Sequence, residues 1–232
     1  IQNVYGEATE TTLNSGMLYA HEGSILNNTT INNGNMNINK ATINGLTVKG
    51  GNINADNTSQ VNGLKMYGGS GVFYSSALLS GDIIVNNAEI TLHNGQNLNN
   101  VEMDNGTIRM ANNGDSQTLN IHTLNGSGKF YLTSAVTEGH LDQIEIGSGN
   151  GKFGLQLHDY SSGSDLPRTI KLVTTSDNDE QFYLVGGATD IGAYQYTLQH
   201  QGEEWFLQRS LNLTESAMIA KNTYSTVSTI FY

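Results

Sequence analysis

The chain has 232 residues, 37% apolar and only 13% charged, with a net charge of −11, 27 Gly, one Pro and no Cys. The missing Cys excludes a disulfide scaffold and thiol chemistry, and ten basic residues scattered along an acidic chain argue against nucleic acid or an anionic membrane as partner. No run of about 18 apolar residues marks a membrane-spanning helix. Asn fills the gap: of 29 Asn, 23 fall in the first 113 residues. Together with Gly, Thr and Ile/Val/Leu they make a text of turn formers alternating with strand formers, unlike the Pro- and charge-rich text of a disordered linker. The opening IQNVYGEATE has neither the basic nor the apolar part of an export signal. An exported parent would carry that signal elsewhere, and the chain reads as part of a longer protein.

In chain order, short alternating segments return repeatedly: NMNIN at 35–39, ATING and LTV within 41–48, GNINA at 51–55, LKMYG at 64–68 and GVFYS at 71–75. DIIVN at 82–86, EITLH at 89–93, GTIRM at 106–110, TLNIH at 118–122, GKFYLTS at 128–134, DQIEIG at 142–147 and GKFGLQL at 151–157 continue them. Corresponding segments recur roughly every 17 to 23 residues, with Asn-Asn, Asn-Gly and Gly-Gly pairs between. That period fits one coil of a parallel β-helix with about three short strands per coil. The predicted fold is therefore all-β, a right-handed parallel β-helix. Roughly seven or eight rungs to Tyr160 at about 4.8 Å each would make a rod of about 40 Å. Alternation sends Met36, Ile38, Ile43, Val48, Ile53, Leu64, Met66, Val72, Ile90, Leu92, Ile108 and Met110 inward. It does the same for Leu119, Ile121, Phe130, Leu132, Ile144, Ile146, Phe153, Leu155 and Leu157.

Corner Asn residues have a mechanism: Asn tolerates left-handed backbone, and its amide can stack on an Asn one rung away. The alternative fold is a hairpin-based sandwich, because Asn-Gly is also a hairpin signal. The pair occurs at Asn33-Gly34, Asn44-Gly45, Asn62-Gly63, Asn94-Gly95, Asn105-Gly106, Asn113-Gly114 and Asn125-Gly126. Short strands, a near-constant period and low charge favour the coil.

Near residue 126 the Asn content falls, and aromatic and acidic residues increase. Tyr194, Tyr196 and Leu198 alternate, as do Trp205 and Leu207 on either side of Phe206, and the intervening Gln199–Glu204 stretch contains Gly202. This reads as an antiparallel hairpin. Such a pair would cover the open end of the stack, which otherwise exposes unpaired backbone and apolar side chains. The single Trp lies there, where a large ring can close the core. The predicted layout is β-helix rungs at 1–125, C-terminal rungs and cap at 126–208, and a tail at 209–232. In the tail, Ala220, Tyr224, Val227 and Phe231 fall at helical spacing and Asn212 with Glu215 looks like a capping box, which predicts a short helical or disordered segment.

The stretch from about residue 120 resembles the C-terminal passenger region of type Va autotransporters, the family containing pertactin and the diffuse-adherence and self-associating adhesins. The resemblance rests on ordered pieces: Gly126-Ser127-Gly128 before Phe130, Asp142 before Ile144 and Ile146, and Gly149-Asn150-Gly151 before Phe153, Leu155 and Leu157. Leu172-Val173 then leads to Phe182, and Asp190-Ile191-Gly192-Ala193-Tyr194-Gln195-Tyr196-Thr197-Leu198 is closed by Trp205-Phe206-Leu207. It implies that the cap residues Tyr194, Tyr196, Leu198, Trp205, Phe206 and Leu207 form an autochaperone that nucleates passenger folding during secretion. It also implies a bacterial surface location, with the tail leading to an outer-membrane translocator β-barrel. The expected role is adhesion to a host matrix protein or glycan, or self-association in aggregates and biofilm. The alternatives are a structural stalk presenting a distal domain, or a polysaccharide-active enzyme.

The candidates for chemistry are the carboxylates Glu89, Glu102, Asp104, Asp115, Asp142 and Glu145, since enzymes of similar architecture use clustered carboxylates. Asp142/Glu145 and Glu102/Asp104 have no basic partner at rung spacing and read as solvated. The histidines 21, 93, 122, 140, 158 and 200 do not pair at i, i+2 or i+4 as a metal site often does and read as outward or loop residues. No G-x-S-x-G occurs, and no Lys-Ser/Thr follows the Gly pairs. The expectation is a non-enzyme with no catalytic residues, no cofactor and no metal.

Overall fold

The computed structural model describes residues 1–56, 58–177, 179–214 and 217–221. Its strands begin short: β1 (Gln2–Val4), β2 (Glu7–Thr9), β3 (Thr12–Leu13), β4 (Met17–Ala20), β5 (Ile25–Ile31), β6 (Asn35–Asn39) and β7 (Thr42–Val48). The pattern continues through β8 (Asn52–Asp56), β9 (Gln60–Met66), β10 (Ser70–Phe73), β11 (Leu78–Asn86) and β12 (Glu89–Leu92). Strands then lengthen and bend round the corners: β13 (Asn97–Met110), β14 (Thr118–Ala135) and, after a 3-10 turn and β15 (His140–Leu141), β16 (Gln143–Asp159). The chain finishes with β17 (Thr169–Thr175), β18 (Glu180–Leu184), β19 (Thr189–Ile191), β20 (Tyr194–Gln201) and β21 (Glu204–Leu213).

Along the coil each strand pairs in parallel with strands one coil away. One inward column runs in unbroken register through Leu18, Met36, Ile53, Gly71, Ile90, Ile108, Phe130, Leu155 and Leu184. A second runs through Ile31, Val48, Met66, Val85 and Met103; its register then passes the exposed Gly126 and half-buried Gly151 before reaching buried Glu180. Alternation puts these side chains inside, and stacking joins them into one dry core. Each fully buried aliphatic side chain is worth about 1.5–3 kcal/mol. On the first face β1, β4, β6, β8, β10 and β12 are followed by stretches of β13, β14, β16 and β18. Nine layers thus precede Tyr160, more than the period suggested, because β1 and β4 carry little sequence signal.

The coil also lengthens beyond the expected range. Asn52 Nδ2 donates to Asn35 Oδ1 at a separation of 17 residues, whereas Thr123 meets Ser148 25 residues on and the Gly149 amide meets Asp177 28 residues on. The extra length goes into excursions at one end. The 3-10 turn Val136–Glu138 and the Ser161–Gly163 loop bind each other through Glu138. Those bonds from Ser162 and Thr137 hold the Glu138 carboxyl down at about 2.

The corners explain the Asn and Gly content. Gly16, Gly34, Gly51 and Gly69 stack, all at positive φ of 92, 112, 90 and 78°. Their carbonyls accept the amides of Asn35, Asn52, Ser70 and Glu89 from the next coil. A Cβ on Gly34 would lie 2.6 Å from the Gly16 carbonyl oxygen, so the coils can approach only without one. Asn28 and Gly45 turn a second corner at φ 55 and 75°. Asn amides form the expected ladders: Asn32 to Asn14 at 2.7 Å, Asn44 to Asn27 at 2.9 Å and Asn105 to Asn87 at 2.9 Å. None of the Asn-Gly pairs named above lies in a hairpin. Among the described residues, the antiparallel pairings are β14–β15, β17–β21, β19–β20 and β20–β21.

Two inward assignments change. In β10 it is Gly71 and Phe73 that face the core, and Val72 lies half-buried on the outer side. A Cβ on Gly71 would meet the Phe73 ring at 3.3 Å and Met66 Sδ at 3.5 Å, so the glycine makes room for the larger ring. Asp142 is buried, not solvated: the Thr133 amide and hydroxyl both donate to its Oδ2 at 2.7 Å. Burial raises its carboxyl, with those bonds opposing. In the tail, residues 217–221 are helical, and the cap is Thr214, whose Oγ1 accepts the Ala217 amide at 3.2 Å. Asn212 belongs to β21, and Glu215, Tyr224, Val227 and Phe231 lie outside the described residues.

Candidate functional site

The end of the coil is built by β17. One edge continues the stack, with Ile144 beside Val173 and Glu145 beside Thr174 in parallel. The other edge takes β21 in antiparallel register, Ile170 opposite Leu207 and Val173 opposite Trp205. β20 then pairs with the far edge of β21, Leu198 opposite Leu207 and His200 opposite Trp205. The turn joining them is tighter than Gln199–Glu204: β20 runs to Gln201 and β21 starts at Glu204, leaving Gly202 at φ 61° and Glu203. A positive φ at the first turn residue suits the twist of a two-residue hairpin.

This sheet is laid across the last coil. Tyr196 and Leu207 are fully buried, and Tyr194, Leu198 and Trp205 pack half-buried against the core. Phe206 is half-buried and, by strand alternation, projects from the face of β21 opposite to Leu207. Five of the six expected cap residues therefore meet the core, and Phe206 stands apart from them. Beneath them runs an aromatic column: Phe130 to Phe153 with centroids 5.9 Å apart, Phe153 to Phe182 at 5.9 Å, and Phe182 to Trp205 at 5.5 Å. Tilted and edge-on pairs of this kind add about 0.5–1.5 kcal/mol each beyond area burial. His200, the cross-strand partner of Trp205, stacks on it with centroids 4.0 Å apart and planes within 9°.

A second tether had no sequence signal. The Tyr196 hydroxyl donates to the Pro167 carbonyl at 2.6 Å. Arg209 donates from Nη1 to the Leu166 carbonyl at 2.9 Å, and its guanidinium sits 4.4 Å from the Tyr194 ring centre. The segment around the single proline is thus clamped by residues 29 and 43 positions away. Burial raises the Tyr196 phenol, with the Arg209 charge opposing.

Glu180 also escaped the sequence reading. It opens β18, faces inward over Gly151 and is buried. Burial first, then the nearby charges of Asp177 and Asp179, push its carboxyl up to about 7. The other candidate carboxylates stay apart. Glu89 pairs with Arg109 at 3.2 Å, and Glu102, Asp104, Asp115 and Glu145 are exposed. Among the described residues no three His, Asp or Glu side chains converge as a metal site would.

Residues 98–209 match the Pertactin family. The chain is 33% identical over 93 residues to the probable autotransporter YpjA of Escherichia coli K12, covering 39% of this chain and 6% of that protein. It is 27% identical over 144 residues to the autotransporter adhesin/invasin TibA of Escherichia coli O78:H11, covering 56% of this chain and 14% of that one. It is 26% identical over 167 residues to the immunoglobulin A1 protease autotransporter of Haemophilus influenzae, covering 63% and 10%. The chain thus spans between 6% and 14% of these relatives. Among solved structures, the Hap adhesin of Haemophilus influenzae shares the fold, with a TM-score of 0.50 and 21% identity over 87% of this chain and 25% of that one. With its right-handed parallel β-helix and the Pertactin match at 98–209, the chain is similar to passenger sequence of the type Va autotransporters.

Proposed function

We propose that this chain is part of an adhesive surface passenger whose cap nucleates folding of the coil during secretion. One observation carries the nucleation reading: the aromatic column Phe130, Phe153, Phe182 and Trp205 ends under an antiparallel sheet that closes the last coil. Tyr194, Tyr196, Leu198, Trp205, Phe206 and Leu207 belong to that sheet. In a stacked array, folding starts at the most stable unit and propagates to neighbours, and this end carries the largest rings and a tether to residues 166–167. The test is refolding of the intact chain from urea. Trp205→Ala should slow folding about tenfold while changing unfolding little, the signature of a residue in the nucleus. An unchanged folding rate with faster unfolding would leave the cap as a lid only.

Adhesion is supported by the relatives that carry the word adhesin in their names and by the outward Asn ladders. Repeated polar rows can engage a matrix protein, a glycan or a second copy through many weak contacts. Bacteria displaying the chain ahead of a translocator β-barrel should aggregate or bind immobilised matrix. Absence of both would defeat the adhesive reading. A second reading has its own support, since 63% of this chain aligns with an immunoglobulin A1 protease autotransporter. There the coil would serve as a stalk for a domain elsewhere in the protein, and deleting 126–208 would abolish display of that domain.

A further inference from the structure

We propose that the cleft between Lys129, Lys152 and Tyr183 binds an acidic sugar residue of a glycan chain. The cleft has a volume of about 510 Å³ and is lined by Asn105, Ser127, Gly128, Lys129, Lys152 and Tyr183. Stacking brings these distant residues together. In one outward column Ser127 lies under Lys152, and in the next Lys129 lies under Gly154, which lies under Tyr183. Gly128 and Gly154 contribute no side chain, so the floor is backbone. The Tyr183 ring leans over that floor: a Cβ on Gly154 would sit 3.0 Å from Tyr183 Cζ and 3.1 Å from its hydroxyl. The ring therefore lies over the Gly154 backbone, yet the residue stays 40% exposed.

Lys152 Nζ stands 5.6 Å from the Tyr183 ring centre. Lys40, Arg109 and Lys171 each have a Glu partner, whereas among the described residues Lys129 and Lys152 have no carboxylate within 4.0 Å. The nearest acid in register, Asp104, lies beside Ser127 and does not line the cleft. Two ammonium groups without a carboxylate partner, beside a half-exposed aromatic face, make a local positive patch on a chain of net charge −11. The combination selects its ligand. A pyranose lays its apolar C–H face on an aromatic ring, a carboxylate or sulfate takes the lysines through charge-assisted bonds, and ring hydroxyls find Asn105 and Ser127. A bare phosphate would use the lysines and leave the ring idle, and a densely charged nucleic acid is repelled by the rest of the chain. The site deepens the adhesive reading, on which it rests, by naming a glycan class and a place.

The test is titration of the intact chain, by calorimetry and by amide chemical shifts, with a hyaluronan octasaccharide and a sulfated heparin tetrasaccharide. Cellohexaose and inorganic triphosphate serve as neutral and purely anionic controls. We expect an acidic oligosaccharide to bind, with shifts centred on Gly128 and Gly154, and both controls to be silent. Tyr183→Ala and the Lys129→Gln/Lys152→Gln pair should each weaken binding about tenfold. The lysine pair is exposed and decides the matter if the tyrosine variant misfolds. Binding of neither acidic probe, binding unaltered in the variants, or equal binding of triphosphate would overturn the proposal. Oligosaccharide binding that depends on these residues upholds the site even if displayed cells fail to adhere, whereas adhesion without it overturns the site and leaves the adhesive reading intact.

Discussion

Replacing Glu180 by Gln should stabilise the protein at pH 8 and have little effect near pH 4.5. The carboxyl sits at about 7 in the fold against 4.5 when unperturbed, a gap worth about 3 kcal/mol. Below pH 4.5 both folded and unfolded chains hold this proton, and Glu180 costs the fold nothing. Between pH 4.5 and 7 the unfolded chain ionises first, so stability falls as pH rises, and above 7 the loss is complete. Gln has nearly the shape of the protonated acid and cannot ionise, so this slope vanishes in the variant. For a chain of this length about 3 kcal/mol corresponds to a Tm difference of roughly 6–12 °C at pH 8. Thermal unfolding followed by circular dichroism at several pH values gives the difference between wild type and variant directly. Contributions shared by both chains, such as that of Glu138, cancel in it. The acids that face Glu180, Asp177 and Asp179, are present in both. A Tm difference that stayed constant from pH 4.5 to pH 8 would refute the reasoning.

Gly51→Ala should cost more than about 4 kcal/mol or prevent folding, because its Cβ would strike the Gly34 carbonyl at φ 90°. Gly23→Ala, at φ 78° with open space around it, should cost only about 1–2 kcal/mol, and urea midpoints of the two variants separate clash from backbone strain. Phe153→Ala, in the middle of the aromatic column, should lose about 3–5 kcal/mol. Val72→Thr, on the outer side of β10, should stay within about 0.5 kcal/mol in the same assay.

The coil was legible because its rule is local and repeated. Met36, Ile53 and Ile90 share one column in the structure, and each announces itself by alternation within its own five residues. Val72 shows where that rule fails: GVFYS alternates equally well in either phase, and the choice depends on Met66 and Ile90 in neighbouring coils. The cap hairpin was legible from Tyr194, Tyr196 and Leu198, since a strand pair joined by Gly202 is again a local pattern. The clamp on Pro167 was not, because Tyr196 and Arg209 reach it across long separations with no motif at either end. Glu180 was hidden for a different reason. It follows Asp177 and Asp179 in what reads as a solvated acidic turn, and only its register with Gly126 and Gly151 turns it inward. The cleft likewise needs stacking: two coils make Lys129 and Lys152 neighbours, and a third brings Tyr183 over them.

The glycine and asparagine corners also set how such a rod answers to force. Every carbonyl from Gly16, Gly34, Gly51 and Gly69 points along the rod to the next coil's amide, so tension applied along the axis loads the coils one after another. Each coil that lets go gives up about 5 Å of rod and releases about 60 Å of extended chain from its 17 or 18 residues. A rod on a bacterial surface under flow would therefore pay out slack in small equal steps, a pattern that single-molecule pulling resolves as a regular sawtooth, where a single large rupture would contradict it. The steps would lengthen toward the Trp205 end, where a coil spans 25 to 28 residues instead of 17.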